Sequence, residues 1–558
     1  MKKNYRICSA FLALVLCLGL CPVSLAAETG GQYGMIAGGV SHSLAVKNDG
    51  SVWGWGSNSA KQVDPSSDED SVSRPTKVKK VTSAVSVACG SDFSAALLSD
   101  GTITVWGGGA DFATVPGLTG VADLSVGQST LVALKSNGTV WQWTFGSSAP
   151  EQVPGLERIS SVAAGGGHYL ALGLTGEVWA WGNNNRGQLG TGSTSTQVNT
   201  PEKVSGLTDV ISIAAGYSHS LAARFDGQVY AWGSNTSGQL GNGSTNDSNI
   251  PRTAVDISKA VQVSAGNESS MAMTSDGKIY TWGYGEYGQL GLSTTPNSVT
   301  KPGEIKNSSF GTPLLIASGM NHNLLLNNRG SVYTWGRNRD AQLGTGKNEN
   351  GSAPQSINLS LATKGSYSPT YYTINVQDEL SSWAREDLTK LYQTGLIPPS
   401  SWERYNQNIT RAEFAHLAVS VYEKVKGTSL TASTRARFAD IKDHPMEQSI
   451  LKAYQLRLLS GYSDTVFAPD EKITRQEVAT LLCKLVNKLE DTRIPTTSSV
   501  SYYSDASQIA SWAVPYVAFA HSHNIMLGSD GRFNPSGFTT REQALAIMAR
   551  LANRYDWA

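Results

Sequence analysis

Residues 43–55 read Ser-Leu-Ala-Val-Lys-Asn-Asp-Gly-Ser-Val-Trp-Gly-Trp. Apolar residues flank an Asp49-Gly50 pair, the pattern of two short strands joined by a turn in which Gly takes a positive φ. Outward from it, the hairpin sits in a frame that opens at Gly39, places His42 three residues on, Gly50 eleven on and Trp55 sixteen on. The frame recurs as Gly90/Phe93/Gly101/Trp106, Gly127/Thr130/Gly138/Trp143, Gly165/His168/Gly176/Trp181, Gly216/His219/Gly227/Trp232, Gly266/Ser269/Gly277/Trp282 and Gly319/His322/Gly330/Trp335. Its internal spacing is constant while successive tryptophans lie 37 to 53 residues apart, so insertions fall between frames, as when each frame is one supersecondary unit. An apolar run upstream, such as Val210-Ile-Ser-Ile-Ala-Ala-Gly216, adds a further strand. A blade of about four short strands cannot bury its own faces, and seven of them predict an all-β seven-bladed propeller in preference to a solenoid. The first frame opens almost at its innermost strand, Met35 to Gly39, and the last trails Pro354 to Leu359, which predicts that the two ends complete one shared blade.

The segments Ala-Ala-Gly-Tyr-Ser-His-Ser-Leu-Ala (214–222), Val-Tyr-Ala-Trp-Gly-Ser-Asn (229–235) and Gly238-Gln-Leu-Gly241 resemble regulator of chromosome condensation repeats. The Gly-Gln-Leu-Gly element recurs at 187–190 and 288–291, with Ala341-Gln-Leu-Gly344 as a variant, and the first three blades are read as lacking it. The resemblance covers residues 33–360 and implies a seven-bladed propeller. It implies no exchange activity, because fold and function separate easily.

His42, His168, His219 and His322 invite a catalytic or metal-binding role. Each holds the same position in a different blade, however, and Phe93, Thr130 and Ser269 stand there in the others, a variation that a metal cluster tolerates poorly. They are expected to be structural, hydrogen-bonded to neighbouring backbone. Trp55, Trp106, Trp143, Trp181, Trp232, Trp282 and Trp335 are expected to pack between blades.

Residues 1–26 have the pattern of a secretory signal peptide: Lys2, Lys3 and Arg6, an apolar stretch from Ile7 to Leu20, and Ser24-Leu25-Ala26 at the cleavage site. No later apolar run approaches the ~20 residues of a membrane-crossing helix, so no membrane span is expected. Three of the five cysteines fall in the signal, leaving Cys89 and Cys483 as small buried residues with no disulfide framework. The 44 basic and 44 acidic residues cancel, which argues against a nucleic-acid partner drawn by a bulk positive field.

Past a Ser/Thr/Tyr-rich linker at 361–373 the periodicity becomes helical, as in Ile450 to Leu459 and Glu477 to Val486. Three capping boxes recur, Thr410/Glu413, Thr474/Glu477 and Thr540/Gln543, each followed at once by an arginine: Arg411, Arg475 and Arg541. A cation in a helix's first turn opposes the macrodipole. Either each guanidinium forms an anion site with free helix amides, or it pairs with a neighbouring carboxylate to fix packing. The residues leave both open.

Tyr503-Ser-Asp505, Trp512, Gly528, Phe533-Asn-Pro535 and Thr540-Arg541-Glu542, with weaker counterparts at Phe438-Ala-Asp440, Gly461, Phe467-Ala-Pro469 and at Asp378, Trp383, resemble S-layer homology modules, at 374–427, 436–490 and 501–558. The family packs three into a mainly α-helical pseudo-trimer whose grooves bind anionic, often pyruvylated, secondary cell-wall polysaccharide. The resemblance implies that Arg411, Arg475 and Arg541 hold the acidic sugar, that Trp383 and Trp512 stack on its ring, and that Gly461 and Gly528 permit close approach. The expectation is thus an exported, wall-anchored bacterial surface protein, with no enzyme activity and no cofactor. An unknown extracellular protein would bind the propeller's long insertions at 57–80, 191–201, 242–250 and 292–312. Inhibition of an extracellular enzyme and wall-polysaccharide degradation are the alternatives. The sequence holds no nucleophile elbow, zincin motif, phosphate-binding Gly loop or calcium loop.

Overall fold

The computed structural model describes residues 35–361, Ala384 and 405–554, apart from 175, 194, 307–309, 428–429, 433–437, 443, 445 and 491–497. The signal segment, most of the linker and Trp383 lie outside the described residues.

Seven antiparallel sheets of four strands each follow one another along the chain, every sheet a meander of consecutive strands. The hairpin at Gly50 shows why the frame keeps its spacing. Gly50 N–H donates to Lys47 O at 2.8 Å and Lys47 N–H to Ser51 O at 2.9 Å, a short loop with Gly50 at φ 75°. A Cβ on Gly50 would lie 2.7 Å from Ser83 Cα, where the chain enters the second blade, and Ala84 N–H donates to Gly50 O at 3.0 Å. The turn glycine is therefore also the crossing point of consecutive blades. At the other end of the frame, a Cβ on Gly216 would lie 2.4 Å from His219 Cε1 and 2.6 Å from Gly266 O. Ring and neighbouring blade both need that space.

No blade is shared between the chain ends, correcting the expectation from sequence. The first sheet is Ile36–Gly38, His42–Val46, Val52–Ser57 and Ser71–Lys77, and the last ends with its own ten-residue strand Gly351–Ser360. The ring closes by side-to-side packing of Ile36–Gly38 on Pro313–Ser318 and His322–Asn327, with Met320 N–H donating to Gly39 O at 2.9 Å. A complete outer strand in each terminal blade makes strand exchange unnecessary.

The insertions are not free loops either. Each contains much or all of an outer strand: Ser71–Lys77, Gln197–Lys203, Ser248–Thr253 or Ser298–Glu304. Three of them are pinned from beneath by a buried asparagine three residues after the frame tryptophan: Asn58 Nδ2 donates to Asp64 O and Glu69 O, Asn184 Nδ2 to Ser193 O and Ser195 O, and Asn235 Nδ2 to Ser244 O and Asn246 O.

The C-terminal region holds five described helices, α1 (Arg411–Lys426), α2 (Glu447–Gln455), α3 (Arg475–Glu490), α4 (Val514–Ser522) and α5 (Arg541–Arg554), around one apolar core that includes Phe414, Leu482 and Phe533. Isolated bridges join Asn408 to Thr540, Thr410 to Lys472 and Thr474 to Phe538, so the three capping segments meet in a cycle. The capping box is complete at Thr410/Glu413. Thr540 and Gln543 exchange bonds at 3.3 Å, and at Thr474 both the backbone N–H and the hydroxyl donate to Glu477. Among the described residues, no helix is long and apolar enough to cross a membrane.

Candidate functional site

Two sets of singled-out residues come together: the frame histidines with the tryptophans at the blade joints, and the arginines at the joints between helical repeats.

In the propeller, His219 Nε2 lies 2.9 Å from Ser270 Oγ of the next blade, and that hydroxyl donates to Gln239 O at 2.7 Å. Since the serine proton is committed to the carbonyl, the imidazole must be the donor, with its proton on Nε2. The relay repeats as His42–Ser94–Gln62, His168–Ser220–Gln188 and His322–Ser43–Gln342. All four Nδ1 atoms are buried without a partner, as suits neutral rings. Burial pulls the pKa of His42, His219 and His322 down to about 3 and that of His168 to about 4. The partner is thus the next blade's hydroxyl and not backbone directly, which refines the expectation.

Two of these glutamine carbonyls also receive a tryptophan, Trp55 Nε1 donating to Gln342 O at 2.9 Å and Trp282 to Gln239 O at 2.8 Å, and Trp335 donates in the same way to Gln289 O at 3.0 Å. Trp181 instead reaches Gln142 Oε1 and Trp143 reaches Ser147 O, while Trp106 and Trp232 are buried against the core. The first blade does carry a form of the Gly-Gln-Leu-Gly element, which sequence reasoning missed. Lys61-Gln62-Val63 occupies its place, with Lys61 at φ 65° where blades four to seven have Gly187, Gly238, Gly288 or Ala341. The available signal was spacing, because Gln62 follows Trp55 by the same seven residues that separate Gln239 from Trp232. Ser270→Ala strips both His219 Nε2–H and one Gln239 bond of their partner. It should lower unfolding free energy by about 1–3 kcal/mol in urea titration of the full chain; wild-type stability would refute the relay.

In the helical region each arginine reaches into the next repeat. Arg411 is only 4 % exposed; it donates to Phe467 O at 3.1 Å and Ser460 O at 2.8 Å, pairs with Glu477 at 3.3 Å and lies under the Tyr462 ring at 4.3 Å. Arg541 grips both oxygens of Glu413. These two realise the packing alternative, each using the capping-box glutamate of the following repeat.

Arg475 differs. It donates to Phe533 O at 2.8 Å and lies over the Phe533 ring, yet it makes no ion pair among the described residues. The residue in place of Glu477 and Glu413 is Gln543. Burial lowers the Arg475 pKa, the mark of a charge partly removed from water. In front of it opens a cavity of about 990 Å³ lined by Asp505, Gly528, Arg532, Gln543 and Arg550 among others. Asp505 is committed to its own loop, accepting from Phe533 N at 2.9 Å and Asn534 N at 2.7 Å.

The glycines serve the loops themselves: a Cβ on Gly461 would lie 2.4 Å from Phe438, and one on Gly528, at φ 77°, 2.3 Å from Arg532 O. Trp512 is 51 % exposed and is not part of the cavity wall.

Residues 20–312 and, overlapping them, 112–383 match the RCC1-like domain family, and residues 437–479 and 502–545 match the S-layer homology domain. The second pair falls on the second and third helical repeats. Over 232 residues the chain is 30% identical to E3 ubiquitin-protein ligase HERC2 of Homo sapiens, covering 38% of this chain and 4% of that protein. It is 26% identical over 190 residues to the Surface-layer 125 kDa protein of Lysinibacillus sphaericus, covering 33% and 15%, and 28% identical over 175 residues to an endoglucanase of a Bacillus species, covering 31% and 18%. The chain therefore spans less than a fifth of each of these relatives. Among solved structures, Prp20p of Saccharomyces cerevisiae shares the propeller fold, with a TM-score of 0.50 at 22% identity over 57% of this chain and 88% of that one.

Proposed function

The chain belongs to the RCC1-like domain family, and from that premise and its S-layer homology domains we propose an exported cell-surface protein: the C-terminal repeats hold anionic secondary cell-wall polysaccharide, and the propeller faces an extracellular protein partner. In this reading residues 1–26 are the export signal, 33–360 the display platform and 374–558 the anchor. The observation that carries it is the Arg475 cavity, where an arginine that makes no ion pair among the described residues faces open space on a domain matched to a cell-surface family. The similarity to a surface-layer protein supports the same location. The endoglucanase likeness runs through the S-layer homology region, so it supports anchorage and carries no catalytic assignment.

The test is sedimentation of the full chain with wall sacculi of a Gram-positive bacterium bearing pyruvylated polymer. The chain is expected to pellet with intact sacculi and to stay in solution with sacculi stripped of that polymer by hydrofluoric acid. Equal pelleting with both would reject the polysaccharide as ligand.

A further inference from the structure

We infer that the groove between the second and third helical repeats is the carboxylate-accepting site of this chain, and that Gln543 and Ser529 are the residues that open it. The inference rests on the wall-polysaccharide reading above and deepens it, from three equivalent arginines to one.

At the first joint the chain supplies its own anion and its own ring. Glu477 sits against Arg411, and Tyr462, which follows Gly461, covers the guanidinium. At the third, Glu413 occupies both sides of the Arg541 fork. A bound carboxylate at either place must displace a protein carboxylate from a guanidinium that already has good geometry, which leaves little net gain.

At the second joint both devices are absent. Gln543 keeps the helix cap but brings no charge, and Ser529, which follows Gly528 as Tyr462 follows Gly461, is too small to cover Arg475. Arg532 and Arg550 stand on the same cavity wall, and Asp505, the one carboxylate of that wall among the described residues, already accepts two backbone amides. The Phe538 ring, half exposed on this wall, offers an apolar face to a pyranose. Cationic groups beside an exposed ring face suit an acidic sugar better than a small inorganic anion.

Gln543→Glu is the decisive variant, because it retains the capping interaction and restores the residue that the other two repeats carry. In the sedimentation assay with the full chain, Gln543→Glu and Arg475→Gln are expected to bind intact sacculi at least tenfold more weakly than wild type. Gln543→Glu should melt no lower than wild type, which separates lost binding from lost fold. Binding of both variants within twofold of wild type would overturn the groove assignment while leaving wall anchorage standing. No retention of the wild type on intact sacculi would overturn both.

Discussion

Lowering the pH from 7 to 5 is expected to remove roughly 7 kcal/mol of propeller stability, about 2 kcal/mol from each of the four frame histidines. Each ring is fully enclosed, neutral, and hydrogen-bonded through Nε2–H, and burial holds its folded pKa near 3 or 4 against 6.5 for the exposed group. Below 6.5 the unfolded chain takes up protons that the folded chain refuses. Stability is therefore complete above that value and is lost as pH falls from 6.5 towards 4. Asp123 runs the other way, since burial raises its carboxyl to about 6 and its cost is relieved on acidification, but it is one group against four. Melting of the full chain, followed by tryptophan fluorescence, should show a midpoint lower by about 10 °C or more at pH 5 than at pH 7. His219→Ser, which copies Ser269 of the next blade, should flatten that slope by about a quarter. A midpoint independent of pH over this range would refute neutral burial of the rings.

The second large effect concerns glycine. Gly227→Ala is expected to cost about 3–5 kcal/mol, and Gly117→Ala only about 1 kcal/mol. Both residues have positive φ, 82° and 67°, so both substitutions carry the backbone strain. A Cβ at Gly227, however, would also lie 2.3 Å from Lys259 N and 2.4 Å from its Cα, whereas at Gly117 nothing lies within 4 Å. The difference isolates the blade crossing from the turn. Equal losses in urea titration would mean that the frame glycine is kept for its dihedral alone.

Much of the propeller was legible because a strand hairpin, its turn glycine and its buried tryptophan are local properties that repeat. The closure was not. Whether Pro354–Leu359 completes its own blade or the first one depends on which edge it pairs with, and sequence pattern is the same for both. The Lys61-Gln62-Val63 element escaped notice for a related reason: the contribution of Gln62 is its backbone carbonyl, accepting from Ser94, and Lys61 holds the left-handed turn usually marked by Gly.

Seven blades, their frame, the change to capped helices and the three arginines that capping leaves unexplained are all written in the order of residues. All of these follow from spacing and residue type. Which arginine has a free face emerges from the folded arrangement alone, because Glu477 lies 66 residues from Arg411 and Glu413 lies 128 from Arg541. Charge neutralisation depends on distance in space, and the exchange of a capping glutamate for Gln543 acquires meaning only once Arg475 is seen to face an open cavity from the preceding repeat.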